Sequence, residues 1–177
     1  MWQADHCLFL YPENPVQQID TQQITEDLIK QKFIGASLGD RRFATGERFT
    51  SLLTFMGCSP HIELEPQENQ PYCYIEIHTT DKPVFNHGTN LKKLTCPHCK
   101  QKIHVSIDKQ LVCPICKNEL IPEQLNWRKS AFIASTWITI GNIYELEAVP
   151  SDILLNRLQK NTGERWKTAY IRQNVGI

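Results

Sequence analysis

Two matched motifs in the second half of the chain, Cys96-Pro97-His98-Cys99 and Cys113-Pro114-Ile115-Cys116, constrain its folding more than anything else in the sequence. Each sets two thiols on one tight turn, and the intervening residues 100–112 are enough for a short hairpin that brings the two turns together. Four sulfurs gathered this way form a tetrahedral cage. Soft thiolates in a closed set favour zinc, held for shape rather than for chemistry because no coordination position is left for water. The expected metal ligands are therefore Cys96, Cys99, Cys113 and Cys116. The chain opens on no basic segment followed by an apolar one, and its longest nearly apolar run, 131–140, is interrupted by Ser135, Thr136 and Thr139. The expectation is a cytoplasmic protein with reduced thiols, no secretion signal and no membrane span.

The two motifs extend into a longer repeat, Cys96-Pro-His-Cys-Lys-Gln-Lys-Ile103 against Cys113-Pro-Ile-Cys-Lys-Asn-Glu-Leu120. Residues 92–122 resemble the zinc ribbon superfamily with its rubredoxin-type knuckles. The resemblance implies the four cysteine ligands and a hairpin carrying a ligand pair at each end. Proline after the first cysteine of each knuckle fixes φ, so that later amides can point at the sulfur. Ile103, Val105 and Ile107 alternate as one arm, residues 108–110 can turn, and Leu111 and Val112 return as the other. One departure stands out: the residue after the second cysteine, often glycine because the backbone there tends to positive φ, is Lys100 in one knuckle and Lys117 in the other.

The formal net charge of zero conceals a gradient. Residues 1–91 carry six Lys or Arg against twelve Asp or Glu, residues 92–129 eight against three, and residues 130–177 five against four. The cysteine module is basic while the first half is acidic. A zinc with four thiolates adds about −2 and absorbs part of the excess. The remainder predicts a binding surface of Lys92, Lys93, Lys100, Lys102, Lys109, Lys117, Trp127, Arg128 and Lys129. Its partner would be nucleic acid or protein, with His98, His104 and Trp127 able to stack or reach polar edges. The function expected is that of a non-enzymatic zinc protein, an adaptor or regulator.

Around the module, the pattern predicts an α+β fold: a mainly antiparallel sheet, two flanking helices and the ribbon inserted between the halves 1–90 and 123–177, with residues 91–122 as the ribbon. Residues 7–11 read as a buried strand. Asp20 opens a helix with Ile24, Leu28, Ile29 and Phe33 on its inner side and Gly35 as its stop. Residues 35–46, with three glycines and Arg41-Arg42, read as an exposed loop or helix start able to cradle an anion. Residues 49–56 fit helix or strand. Residues 62–65 and 72–78 read as neighbouring strands, 81–90 as a link, and 136–140 as a strand turning at Gly141-Asn142 into a hairpin with 143–149. Pro150-Ser151 opens a second helix that Gly163 closes, and 165–172 is a final strand.

Three cysteines remain outside the knuckles. Cys58, His61, Cys73 and His78 have the right types for a second metal, although Cys73 and His78 are five apart and face opposite sides of a regular strand. The alternative to a binding protein is a thiol-dependent enzyme using Cys58 with His61, for which no third orienting group is identifiable. No phosphate-binding lysine loop, dinucleotide fingerprint or H-E-x-x-H occurs.

Overall fold

The structure is a computed structural model; it describes residues 3–57, 62–66, 70–104 and 111–173. Within them lies a mixed α+β fold of three helices and ten strands. Six strands form one antiparallel sheet, ordered β10 (Trp166–Arg172), β1 (His6–Pro12), β8 (Ala131–Gly141), β5 (Tyr74–His87), β3 (Arg42–Thr45) and β2 (Ile34–Gly39). Helices α1 (Thr21–Lys30) and α3 (Asp152–Thr162) lie on one face, where Leu8, Leu10, Ile75, Ile77, Ile138 and Ile140 meet Ile24, Leu28, Leu154 and Leu158. Strand alternation sends Cys7, Phe9, Tyr74 and Trp137 to the opposite face, where they form a second cluster with Phe132.

Helix α1 begins where expected: the Asp20 side chain accepts from the Gln22 amide at 2.9 Å. It ends earlier than Gly35. Lys32 takes the left-handed conformation at φ 57, and the amide of Phe33 returns to the carbonyl of Leu28 at 2.9 Å, closing the C-terminus with a lysine where glycine is usual. Gly35 is instead within β2. Residues 35–46 are not a loop but most of the β2–β3 hairpin, whose tip takes positive φ at Gly39 and Asp40. Residues 49–55 are both readings in succession, a single helical turn α2 (Phe49–Leu52) and then β4 (Leu53–Phe55).

Residues 62–65 form no strand, although the Cys73 amide donates to the Glu63 carbonyl at 2.8 Å. The supposed link at 81–90 is largely strand: β5 runs through Pro83 to His87, with a bulge between Thr79 and Val84 absorbing the proline. The expected hairpin after Gly141 is also absent. The chain turns at Asn142 and reaches β9 (Ala148–Pro150), which pairs with β4. Helix α3 and β10 stand where expected, with the Ser151 hydroxyl accepting from the Leu154 amide and Gly163 at φ 74.

Gly141 is required for packing. A Cβ there would lie 2.4 Å from the ring of Tyr74. That ring is held from two sides, by the Arg42 guanidinium 3.8 Å from its centroid and by the Ala4 amide donating to its hydroxyl at 3.1 Å. Gly141→Ala is expected to destabilise the fold by about 1–3 kcal/mol through overpacking, read as a lowered urea midpoint with unchanged slope.

Candidate metal centre

The chain leaves the sheet at the end of β5, forms the ribbon and returns through a strap, residues 121–130, into β8. Both knuckles fold alike. In the first, the Cys96 amide donates to Gln101 O at 2.9 Å and the Lys100 amide to Cys96 O at 3.0 Å; in the second, Cys113 donates to Asn118 O and Lys117 to Cys113 O at the same distances. The expected positive φ appears at the departing residues, 61° at Lys100 and 63° at Lys117. Each lysine returns its ammonium to the knuckle, Lys100 Nζ to Pro97 O at 2.7 Å and Lys117 Nζ to Pro114 O at 2.8 Å. These contacts give two lysines a local role that offsets the cost of the left-handed backbone, of order 1 kcal/mol.

Strand pairing in the ribbon runs across each knuckle. Strands β6 (Leu94–Thr95) and β7 (Lys102–Ile103) flank the first, and a Val112–Glu119 bridge flanks the second. The hairpin tip predicted through Val105, Ile107 and 108–110 lies outside the described residues.

The four sulfurs lie within 4.8 Å of one another. Cys96 Sγ is 3.8 Å from Cys116 Sγ, and Cys99 Sγ is 3.8 Å from Cys113 Sγ. A tetrahedral ion with metal–sulfur bonds of about 2.3 Å requires sulfur–sulfur edges of about 3.8 Å, the separation found in these two pairs. A disulfide requires about 2.05 Å, and the thiols are free. Asn118 Nδ2 donates toward Cys116 Sγ at 3.5 Å. The sulfurs influence one another's ionisation. Burial opposes charge on Cys113, but the amides of Cys116 and Ile115 and the sulfurs of Cys116 and Cys96 bring its pKa down to about 6. The Gln101 amide favours the Cys99 thiolate, yet burial and the three neighbouring sulfurs push that thiol up to about 11. A bound cation would neutralise this crowding.

A small core supports the cage, in which Leu94, Ile103, Leu120, Leu125 and Trp127 pack beside Cys96 and Cys113. The neck is fastened to the sheet. Buried Ser130 donates to Trp127 O at 2.6 Å and accepts from the Lys92 amide at 3.1 Å, joining ribbon exit to ribbon entry. Asn90 Nδ2 donates to Tyr170 O, the Tyr170 amide donates to Lys129 O at 2.7 Å, and Lys92 pairs with Glu145.

The predicted partner surface is thereby divided. Lys92, Lys100 and Lys117 are engaged within the chain, Lys109 lies outside the described residues, and Trp127 is buried with its Nε1 donating to Pro122 O at 2.9 Å. Lys93, Lys102, Arg128 and Lys129 are exposed, and His98 and His104 are exposed as well. Because Leu94 and Ile103 point into the small core, alternation sends Lys93, Thr95, Lys102 and His104 to the outer face of the β6–β7 pair.

Among the described residues the four-cysteine cluster is the one group of three or more metal-ligating side chains within reach of one ion. Cys73 faces the helical side of the sheet, its thiol 3.7 Å from Asn142 O and pushed up to about 12 by burial, whereas His78 stacks on Trp137 on the other face. These two residues therefore do not share a metal. Cys58 and His61, needed for the second metal site and for the thiol enzyme, lie outside the described residues. Cys7 is likewise raised to about 12, chiefly by burial.

A second constellation had no sequence signal. Arg42 Nε and Nη2 reach Glu76 Oε1 at 2.8 and 2.6 Å, Glu76 Oε2 meets His78 Nε2 at 3.2 Å, and the His78 ring stacks on Trp137 at 5.1 Å. Arg42 is thus engaged by a carboxylate within the sheet rather than held in a loop.

Comparison with protein-family models, with curated proteins and with solved structures gives no match for this chain. Fold and site together define an α+β protein with a four-cysteine cluster able to hold a metal ion. Among the described residues no helix is long and apolar enough to cross a membrane.

Proposed function

We propose that the protein holds one structural zinc ion and uses the ribbon it stabilises to bind nucleic acid through the phosphate backbone. The cage supplies four thiolates to a closed tetrahedral site, which suits zinc as a shape-holding ion. The observation that carries the binding proposal is the set of cations left after internal pairing. Lys93 and Lys102 on the outer ribbon face, with Arg128 and Lys129 on the strap, are exposed and have no side-chain partner among the described residues. Phosphates neutralised by such cations release counterions, so affinity falls with salt.

With four contacts, the logarithm of single-strand affinity should fall against the logarithm of salt with a slope of about −3. Charge reversal at Lys93 and Lys102 should make the slope shallower by about 1.4, measured by fluorescence anisotropy at several salt concentrations. Binding that is absent, or indifferent to salt and to these reversals, removes the proposal. A protein partner is the second reading, favoured by Ile115 and Ile121, which are 56% and 49% exposed on the same module. That reading predicts that Ile115→Asp abolishes co-purification of a specific protein while Lys93 and Lys102 reversals do not.

A further inference from the structure

An open groove of about 490 Å³ lies where the strap passes the outer edge of the sheet. Tyr11, Trp127, Leu155 and Trp166 are among its lining side chains, and Arg128 and Lys129 also border it. We infer that this groove seats one nucleotide of an unpaired strand, its base against the apolar wall and its phosphate at Arg128 and Lys129; the inference rests on the nucleic-acid reading of the ribbon face and names the form of the ligand.

Both indole N–H groups are already used, Trp127 Nε1 on Pro122 O and Trp166 Nε1 on the Thr162 hydroxyl at 3.0 Å. Both tryptophans are also nearly buried, 7% and 4% exposed, so they form the groove's floor, and its accessible apolar surface comes from the partly exposed Tyr11 and Leu155. The third nearby cation, Lys167, is paired with Glu13 at 2.8 Å, which leaves the anion to the strap pair.

Hydrogen-bonding groups come from the sheet edge. Strand β10 is an outer strand, and the Tyr170 amide and carbonyl point outward to Lys129 and Asn90. The two-residue period of a strand turns the backbone of Thr168 the same way, into the groove. The strap, bonded at Tyr170, and Leu155 of α3 confine this stretch of edge. That length suits one flat group with polar edges better than an added peptide strand.

The strap turn holds the two cations in place. Trp127 O accepts from the Ser130 amide at 2.9 Å, and the two central residues have positive φ, 52° at Arg128 and 61° at Lys129. Such a turn is easiest for Asn-Gly, and long side chains there are strained. The turn, fixed at both ends, carries both cations at the rim of the groove.

The test uses the full-length, zinc-loaded chain with a twelve-residue thymidylate strand and with its adenylate duplex. Leu155→Trp fills the groove without changing charge, while the double variant Arg128→Asn/Lys129→Gly removes both cations and relaxes the turn. Each should weaken single-strand binding by about tenfold or more, the scale of one lost base contact, with duplex binding under Leu155→Trp within about twofold of wild type. The double variant should melt no lower than wild type, which separates lost binding from lost folding. It also keeps the test decisive should Leu155→Trp fail to fold.

If single-strand affinity survives both variants but falls with Lys93→Glu/Lys102→Glu, the groove assignment is overturned and the ribbon proposal stands. If the wild type binds neither strand nor duplex, both fall. Displacement of the strand by an octaglutamate peptide that itself loses affinity in Leu155→Trp would make the groove a peptide site and overturn the nucleotide assignment.

Discussion

If the cage holds zinc as proposed, removing the ion with a chelator is expected to unfold the ribbon around the cage and leave the six-stranded sheet intact. Among its described residues the ribbon's own stabilisation is slight: its two paired strands have two residues each, one further bridge joins Val112 to Glu119, and its buried cluster is small and includes Cys96 and Cys113. Apparent zinc binding energies of about 10–16 kcal/mol in comparable small modules exceed anything so few side chains supply, so metal binding and ribbon folding should be one event. The sheet has a separate core, beginning with Leu8 and Leu10 and extending to α1 and α3. Hydrogen exchange should show protection lost at Cys96, Lys100, Cys113 and Lys117 amides and retained in β1, β5 and β8. Cys113→Ser should reproduce the loss and lower the zinc content from about one ion per chain toward zero. Ribbon amides that stay protected without metal would show that the ribbon folds without the ion.

Disruption should stop near Ser130. Its hydroxyl links Lys92 and Trp127, and Phe85 on β5 lies 4.7 Å from the Trp127 ring, so the indole should report loosening of the neck through its fluorescence. The Lys129–Tyr170 bond joins this neck to the edge of the sheet. Weaker strand binding after chelation would then follow from losing the placement of Lys93 and Lys102, whose outward orientation depends on Leu94 and Ile103 staying inward.

The cage was legible in the sequence because its determinants are local: two short spacings and one proline in each knuckle dictate the turns. Other elements depended on distant partners or on unusual occupants. The end of α1 was missed because Lys32 takes a conformation normally signalled by glycine, while Gly35 serves a close approach in which a Cβ would lie 2.8 Å from Thr45 O. Pro83 suggested a link, but a bulge carries it within a long strand. Gly141-Asn142 suggested a hairpin, but glycine there makes room for Tyr74, and the following strand pairs with β4, far away in sequence. The partition of the lysines was equally hidden, since only the fold brings Lys92 to Glu145 and turns Lys100 and Lys117 back onto their own knuckles. The Arg42–Glu76 pair spans 34 residues and has no periodic signature.

Breaking that pair from one side should destabilise the sheet strongly. The Arg42 and Glu76 side chains are 9% and 19% exposed, so the ions are largely withdrawn from water, and Arg42 also lies over the Tyr74 ring. Glu76→Gln would remove the carboxylate that Arg42 and His78 share. Breaking a buried pair from one side costs about 3 kcal/mol or more, which for a chain of this length lowers the melting temperature by roughly 6–12 °C. Replacing both partners, as Arg42→Met/Glu76→Leu, should cost less than the single change, because no unpaired charge remains. Burial alone would raise the Glu76 pKa, but bonds from His78 and Arg42 outweigh it and hold the carboxyl below its ordinary value. A lowered folded-state value contributes stability at pH above the unfolded carboxylate pKa of about 4.3, and that contribution disappears as pH falls through the folded value. The gap between wild type and Glu76→Gln should therefore be full at neutral pH and close below pH about 4, as read from urea midpoints across the series. A neutral-pH difference below about 0.5 kcal/mol, or a double variant weaker than the single, would show that the aromatic packing around Tyr74 and Trp137, not the ion pair, holds this face of the sheet.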